Sequence, residues 1–367
     1  MKVYVGSLQY SPIYKSHCCA LGKQLEKYGY SVKYLFSQKY EWMLPNEIKG
    51  KAIFIGDSAG IASTVIEGLN PKHRKLLRGI LSGGKPDYIY MHNDQPFMNY
   101  YIARLSKRYN ITFIQHIHEP YVENKKVFGG FYQYGLYLLE YLQGKLLKQT
   151  DVAVLSSNEA SRLFEKHYPD FRGKKVRIPL MYEDLGEFTT NMRDRKYITF
   201  IGPPVPAKGP ETFLEIVDYS EKHNLGLKFV LITRSKINDT RYYRNANLKI
   251  FFKENIADEE IGDYMKRSLM AITPYKTAKQ SSVVLTSYMY GTPVISTNVG
   301  GLPEVICHLK TGYLLDKDSK VEKWIEGINF IKGNLPEMSK NCRNYFVKNF
   351  SEVNWPKYFN DIISENG

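Results

Sequence analysis

Residues 273–316 read TPYKTAKQSSVVLTSYMYGTPVISTNVGGLPEVICHLKTGYLLD. An apolar run ends near Thr273, and a polar loop carries Tyr275, Lys276, Lys279 and Gln280. A helix then starts at Ser281 or Ser282 and runs to Tyr290, and a second short apolar run follows at 293–296. Strand, loop, helix and strand in that order make a βαβ unit, and hence a parallel sheet. The first N–H groups of the helix and the positive end of its dipole favour an anion, and Lys276 and Lys279 add charge beside it. Ser281 also reads as a plain N-cap. After the second strand, Gly300-Gly301 lets backbone approach a ligand closely, and Pro303 with Glu304 suits the first turn of a helix.

Working outward, the same alternation fills the chain. On the C-terminal side, strands are predicted at 197–201, 228–232, 249–252, 269–273 and 293–296, with helices at 210–223, 258–266 and 282–290. On the N-terminal side, strands are predicted at 3–5, 31–36, 52–55, 88–91, 112–115 and 152–155. A polar loop is expected up to Ser16, then a helix over 17–27; a long helix covers 132–148. The expectation is an α/β chain of two Rossmann-like doubly wound domains facing a central cleft. Residues 1–190 form the first domain and 191–348 the second, with a terminal helix in 349–367 packing back on the first. Ligands of such folds lie at the carboxyl ends of strands.

Two further segments fall at such ends. Gly202-Pro203-Pro204-Val205-Pro206-Ala207-Lys208-Gly209-Pro210 joins a strand to a helix. A lysine held by this rigid loop can neutralise a leaving diphosphate, though an ordinary exposed lysine fits as well. Gln115-His116-Ile117-His118-Glu119-Pro120 closes another strand, and alternation places His116 and His118 on one face.

Composition sets the class of partner. The chain has 367 residues with a formal charge of +14, which attracts phosphorylated small molecules, nucleic acid or an anionic membrane face. No recognisable nucleic-acid module accompanies the charge, so nucleic acid is not the expected partner. The basic runs at Lys72–Arg78 and Arg172–Arg177 read as solvated helix faces or loops. Four cysteines in a pattern unlike a disulfide framework or zinc site, with no leader and no span of about 18 apolar residues, point to a reducing cytoplasm. No Gly-x-Gly-x-x-Gly follows the first strand, which argues against a dinucleotide-dependent oxidoreductase.

These segments resemble the large group of retaining glycosyltransferases numbered family four, which has the GT-B fold. The most specific stretch is Gly291–Val305 followed by Thr311-Gly312-Tyr313-Leu314; Ile201-Gly202 with Lys208-Gly209 and the segments 17–32, 86–93 and 151–157 add to it. The resemblance implies that Lys208 contacts the donor diphosphate and that His118 contacts the donor sugar near the reacting carbon. An Arg usual after the first glycine is Pro203 here, and Arg234 is the candidate substitute. The two Glu usual eight positions apart are Ala278 and Thr286, as in a subset of the family that lacks the pair. Gln280, Thr286 and the amides around Ser281 and Ser282 then take over donor contacts, with Gly300, Gly301 and Glu304 beside them. In the 7–16 loop the paired glycines common in the family are missing, which leaves Gly6 and the backbone near Tyr14 and Lys15.

The expected activity is metal-independent, retaining transfer of a sugar from a nucleotide diphosphate to an acceptor hydroxyl. The expected setting is polysaccharide, glycolipid or glycoprotein glycan assembly. The nucleotide sugar is a substrate, and no cofactor or metal is expected, because no Asp-x-Asp element accompanies the donor segments. The acceptor is a glycan or a lipid-linked sugar, and an anionic inner membrane face is a candidate contact. The competing expectation is a catalytically silent GT-B protein that binds a sugar nucleotide or a partner.

Overall fold

The opening residues Lys2–Ser7 alternate little and are almost wholly buried, as a strand covered on both faces must be. This strand, β1, is followed by β2 (Ser31–Phe36), β3 (Ala52–Phe54), β4 (Tyr88–His92), β5 (Thr112–Ile117), β6 (Val152–Leu155) and β7 (Lys174–Arg177). All pair in parallel, in the order β3-β2-β1-β4-β5-β6-β7. The computed structural model describes all residues except 93–94, 124, 126–131, 189–191, 279–280 and 365–367.

The chain divides into two compact units, Met1–Glu183 with Phe350–Gly367, and Asp184–Asn349. The second unit has its own parallel sheet, made of β8 (Tyr197–Ile201), β9 (Lys228–Thr233), β10 (Leu248–Phe252), β11 (Ser268–Thr273), β12 (Val294–Thr297) and β13 (Gly312–Leu315). Its order is β10-β9-β8-β11-β12-β13. In both sheets the strand order reverses beside the first strand of the unit. The reversal lies between β1 and β4 in one sheet and between β8 and β11 in the other. At such a switch point the flanking connections leave in opposite directions and open a crevice beyond the strand ends.

Each unit buries an apolar core of its own. Val3, Tyr34, Phe36, Tyr90 and Ile114 belong to the first, and Ile198, Phe200, Phe213, Ile272 and Trp324 to the second. The helix Trp355–Ile363 belongs to the first unit. Phe359 meets the edges of Tyr30 at 5.5 Å and Tyr88 at 6.2 Å, while Trp355 meets Tyr90 at 5.9 Å. Each side chain so buried contributes roughly 1.5–3 kcal/mol. The returning chain is zipped to Tyr182, whose N–H donates to Phe350 at 2.8 Å and whose carbonyl accepts from Glu352 at 2.9 Å.

Three local expectations need correction. The first helix spans Pro12–Lys27 rather than starting at His17, because Pro12 occupies the first turn, where its missing N–H costs nothing. The basic run at Arg172–Arg177 is neither a helix face nor a loop; it contains edge strand β7. There Lys174 and Val176 are half-buried, while Lys175 and Arg177 stay in water. Lysine on an edge is a usual guard against further strand pairing. Thr311–Leu314, read only as part of a motif, overlaps the other edge strand, β13.

Candidate functional site

Three loops at the carboxyl ends of β8, β11 and β12 are fastened to one another. The loop after β8 begins at Gly202, whose φ is +117°, and turns through Pro206–Lys208 to Gly209, whose φ is +62°. Lys208 folds back so closely that a Cβ on Gly202 would stand 2.3 Å from its Nζ. The same ammonium lies 5.5 Å from the centre of the Tyr275 ring, a favourable cation–π distance. The loop after β11 is tied to this turn by the Lys276 N–H, which donates to the Ala207 carbonyl at 2.9 Å. It is tied to the loop after β12 by the Gly301 N–H, which donates to the Ala278 carbonyl at 3.2 Å. A Cβ on Gly300 would sit 1.6 Å from that same carbonyl oxygen, so only glycine admits the contact. From below, Thr297 Oγ1 donates to the Tyr275 carbonyl at 2.6 Å.

The helix Ser282–Met289 leaves this knot with Ser281 at its N-cap. Ser281 has extended backbone and makes no side-chain cap. Its Oγ is buried and has no hydrogen-bond partner among the described residues. The sequence reading of Ser281 as a plain cap is therefore corrected. The first-turn N–H groups are left uncapped by this side chain, and such groups are suited to an anion. Ser282 and Thr286 are half-buried, one turn apart on that helix. Glu304 is half-buried in the short helix Leu302–Val305. Beside the Pro206–Lys208 turn lies an open cavity of about 430 Å³, lined by Pro206, Pro210, Ile237, Tyr242 and Lys276 among others.

Other expected site residues fall elsewhere. Gln280 lies outside the described residues. Arg234 follows β9, and its Nη2 donates to the Ile256 carbonyl at 2.8 Å, so part of its guanidinium anchors the neighbouring loop. Gly6 lies within β1, opposite Leu35, and a Cβ there would stand 2.0 Å from the Leu35 carbonyl oxygen. The close approach of β2 thus accounts for this glycine without a ligand.

In the first unit, His118 follows β5, and its ring stacks on His116 at 4.5 Å and 9°. Two histidines that sequence reading did not assign join them. His92 ends β4 directly opposite His116 in the parallel register. His17, on the first helix, stacks at 5.5 Å on both His92 and His118. Only the strand order reveals this gathering, because the four residues are distant in the chain. His92 Nδ1 and His118 Nε2 are 3.2 Å apart, the Tyr90 hydroxyl lies 2.9 Å from His116 Nδ1, and His17 Nδ1 donates to the Met181 carbonyl at 2.6 Å. Burial lowers the basicity of all four, taking His17 down to about 4, and the neighbouring imidazoles add to the effect in His92, His116 and His118. At neutral pH the cluster is uncharged. His118 is 8% exposed, against 0–1% for the other three.

Residues 186–348 match the profile of the family described as Glycosyl transferases group 1. The uncharacterized glycosyltransferase MJ1607 of Methanocaldococcus jannaschii is 24% identical over 310 residues, which cover 78% of this chain and 75% of that protein. Among solved structures, sucrose-phosphate synthase of Thermosynechococcus elongatus superposes with a TM-score of 0.73 at 12% identity, covering 99% of both chains. HepE of Anabaena in complex with UDP superposes with a TM-score of 0.68 at 12% identity, again covering 99% of both. The two parallel-sheet units therefore constitute a GT-B fold.

Proposed function

Starting from a group 1 glycosyl transferase domain over residues 186–348, we propose that the protein moves a sugar from a nucleotide diphosphate to an acceptor hydroxyl with retention of configuration. The observation that carries this reading is the triple loop junction at the β8–β11 switch point. It sets a lysine and an uncapped helix start on connected backbone. One solved structure of the same fold, HepE of Anabaena, has been captured with UDP-glucose.

In the proposed reaction the bond between the anomeric carbon and the diphosphate oxygen breaks as the acceptor oxygen bonds to that carbon. The acceptor proton passes to the leaving phosphate. Negative charge grows on the diphosphate, where Lys208 and the amides at Ser281 and Ser282 stabilise it, so a divalent ion at the phosphates is not needed. Gln280, Thr286, Gly300, Gly301 and Glu304 complete the donor side, and His118 offers its more exposed ring edge to the sugar. Arg234 has a secondary role in this reading, as a source of positive potential.

We place the protein in the cytoplasm, serving glycan assembly on a lipid-linked or glycan acceptor at the inner membrane face. No helix among the described residues is long and apolar enough to cross a membrane. The helix Tyr132–Leu147 instead exposes Tyr134, Tyr137, Leu138 and Tyr141 beside Lys145, a combination suited to the lipid interface.

The deciding experiment incubates the purified chain with a panel of UDP-, GDP- and ADP-sugars and candidate acceptors. Product mass and anomeric configuration are then read by mass spectrometry and NMR. A retained linkage from one donor is expected; an inverted product would overturn the retaining assignment. A second reading, a silent sugar-nucleotide binder, is favoured by Ala278 and Thr286 at the positions of the usual Glu pair. Donor binding by thermal shift, with neither transfer nor hydrolysis, would establish it instead.

A further inference from the structure

The histidine cluster is larger than contact with one sugar requires. His92, His116 and His118 each offer a ring nitrogen, and the three atoms lie within 4.8 Å of one another. Two nitrogens bound to one tetrahedral ion at about 2.1 Å stand about 3.4 Å apart. His92 Nδ1 and His118 Nε2, at 3.2 Å, already have that spacing. Imidazoles radiating from such an ion have ring centres about 5 Å apart. The observed separations are 4.5 Å for His116–His118, 4.7 Å for His92–His116 and 5.5 Å for His92–His118.

Hydrogen bonding points the same way. A metal-binding histidine usually engages one ring nitrogen with an outer partner and presents the other to the ion. His116 meets the Tyr90 hydroxyl through Nδ1, while its Nε2 is buried without a partner among the described residues. His17 donates from Nδ1 to the Met181 carbonyl, which leaves a lone pair on an Nε2 that is equally buried and unpartnered. His92 Nε2 is a third such atom. Buried polar atoms are rarely left unsatisfied, and three in one cluster call for a common partner.

We propose that His92, His116 and His118 bind a late first-row divalent ion, Zn²⁺ foremost, with His17 as the fourth imidazole. An all-imidazole donor set suits zinc, nickel or copper and is poor for magnesium or calcium. A small turn of His116 about its side-chain torsions closes the longest gap. The lowered basicity of these rings keeps their lone pairs available at neutral pH. An ion on Nε2 of His118 would also hold its proton on Nδ1, turning the exposed ring edge into a hydrogen-bond donor. The site rests on the first unit alone and goes beyond the glycosyl-transfer reading.

The test uses the full chain, stripped with EDTA and dialysed, titrated with Zn²⁺ against a chromophoric chelator and separately with Co²⁺. One equivalent of Zn²⁺ should bind with a sub-micromolar Kd, and Co²⁺ should give the intense visible bands of tetrahedral nitrogen coordination. In the His92→Ala/His116→Ala variant, Zn²⁺ affinity should fall at least 100-fold. Weak binding of Zn²⁺, an octahedral Co²⁺ spectrum, or unchanged affinity in the variant would each overturn the proposal. The Co²⁺ spectrum of the unmodified chain decides the matter even if the variant fails to fold. A donor thermal shift run in parallel keeps the two readings apart, because it reports on the C-terminal unit whether or not zinc binds.

Discussion

The carbonyl oxygen of Pro274 lies 1.8 Å from the place where a Cβ on Gly209 would stand. The φ of Gly209 is +62°, which adds backbone strain to the steric conflict for any other residue. The obstacle is main chain at the exit of β11, so no side chain can swing aside. Gly209→Ala should therefore cost about 1–3 kcal/mol of stability, from strain alone at the low end, and displace the Lys208 turn. Urea unfolding measures the first effect, and loss of the donor thermal shift at a temperature where the variant is still folded measures the second.

Lys208→Met keeps the apolar stem beside Tyr275 and removes the charge. If the ammonium stabilises the departing diphosphate, kcat/KM should fall roughly 10²–10³-fold, the range typical of a lost charge-stabilising donor. The unfolding midpoint should change little, because the residue is half-buried and its neighbours need no cation. Steady-state rates within threefold of the original would remove Lys208 from the mechanism.

Arg195 is a buried clamp at the other end of the same sheet. Its guanidinium donates to the Ser268 carbonyl at 2.9 Å, to Thr292 Oγ1 at 2.8 Å and to the Tyr290 carbonyl at 2.7 Å. Arg195→Leu removes donors from two buried carbonyls, each costing about 1–3 kcal/mol. A fall of several kcal/mol in unfolding free energy is expected, and chemical denaturation followed by tryptophan fluorescence would register it. A change under 1 kcal/mol would mean that water replaces the guanidinium.

Acid should weaken the first unit through its histidines. His17 titrates at about 4 in the folded chain and near 6.5 once unfolded. Between those values the unfolded state holds the extra proton, so stability is complete above pH 6.5 and drains away as pH falls toward 4. The shift corresponds to roughly 3 kcal/mol for His17 alone, and His92, His116 and His118 act in the same direction. Thermal unfolding in EDTA from pH 8 to pH 5 should show a steadily falling Tm. A flat profile would contradict a buried neutral cluster.

Membrane contact makes a separate prediction. Lys145 and Lys148 are exposed at the end of the tyrosine-bearing helix. Each lysine near an anionic surface contributes about 1 kcal/mol. Lys145→Ala/Lys148→Ala should then weaken binding to phosphatidylglycerol vesicles about 30-fold at low salt. Sedimentation with anionic and neutral vesicles checks this. Equal binding to both would rule out the electrostatic surface.

The architecture and the loops of the C-terminal site were legible in the sequence because their signals are local. Short apolar runs alternating with amphipathic segments specify parallel βαβ units. A glycine at a strand exit, a proline at a helix start and a lysine between them mark a turn within a few residues. Tertiary structure alone decided the rest. His17, His92, His116 and His118 meet only because β4 lies beside β5 in a given register and the first helix crosses their ends. Gly6 and Gly300 are glycines because of backbone from elsewhere in the chain, at Leu35 and Ala278. The strand nature of 174–177 came from pairing with β6, which overrode a composition that reads as solvated. Local propensity acts over a few residues, whereas the partner of a side chain depends on how the strands are ordered, and that order is settled only when the whole core packs.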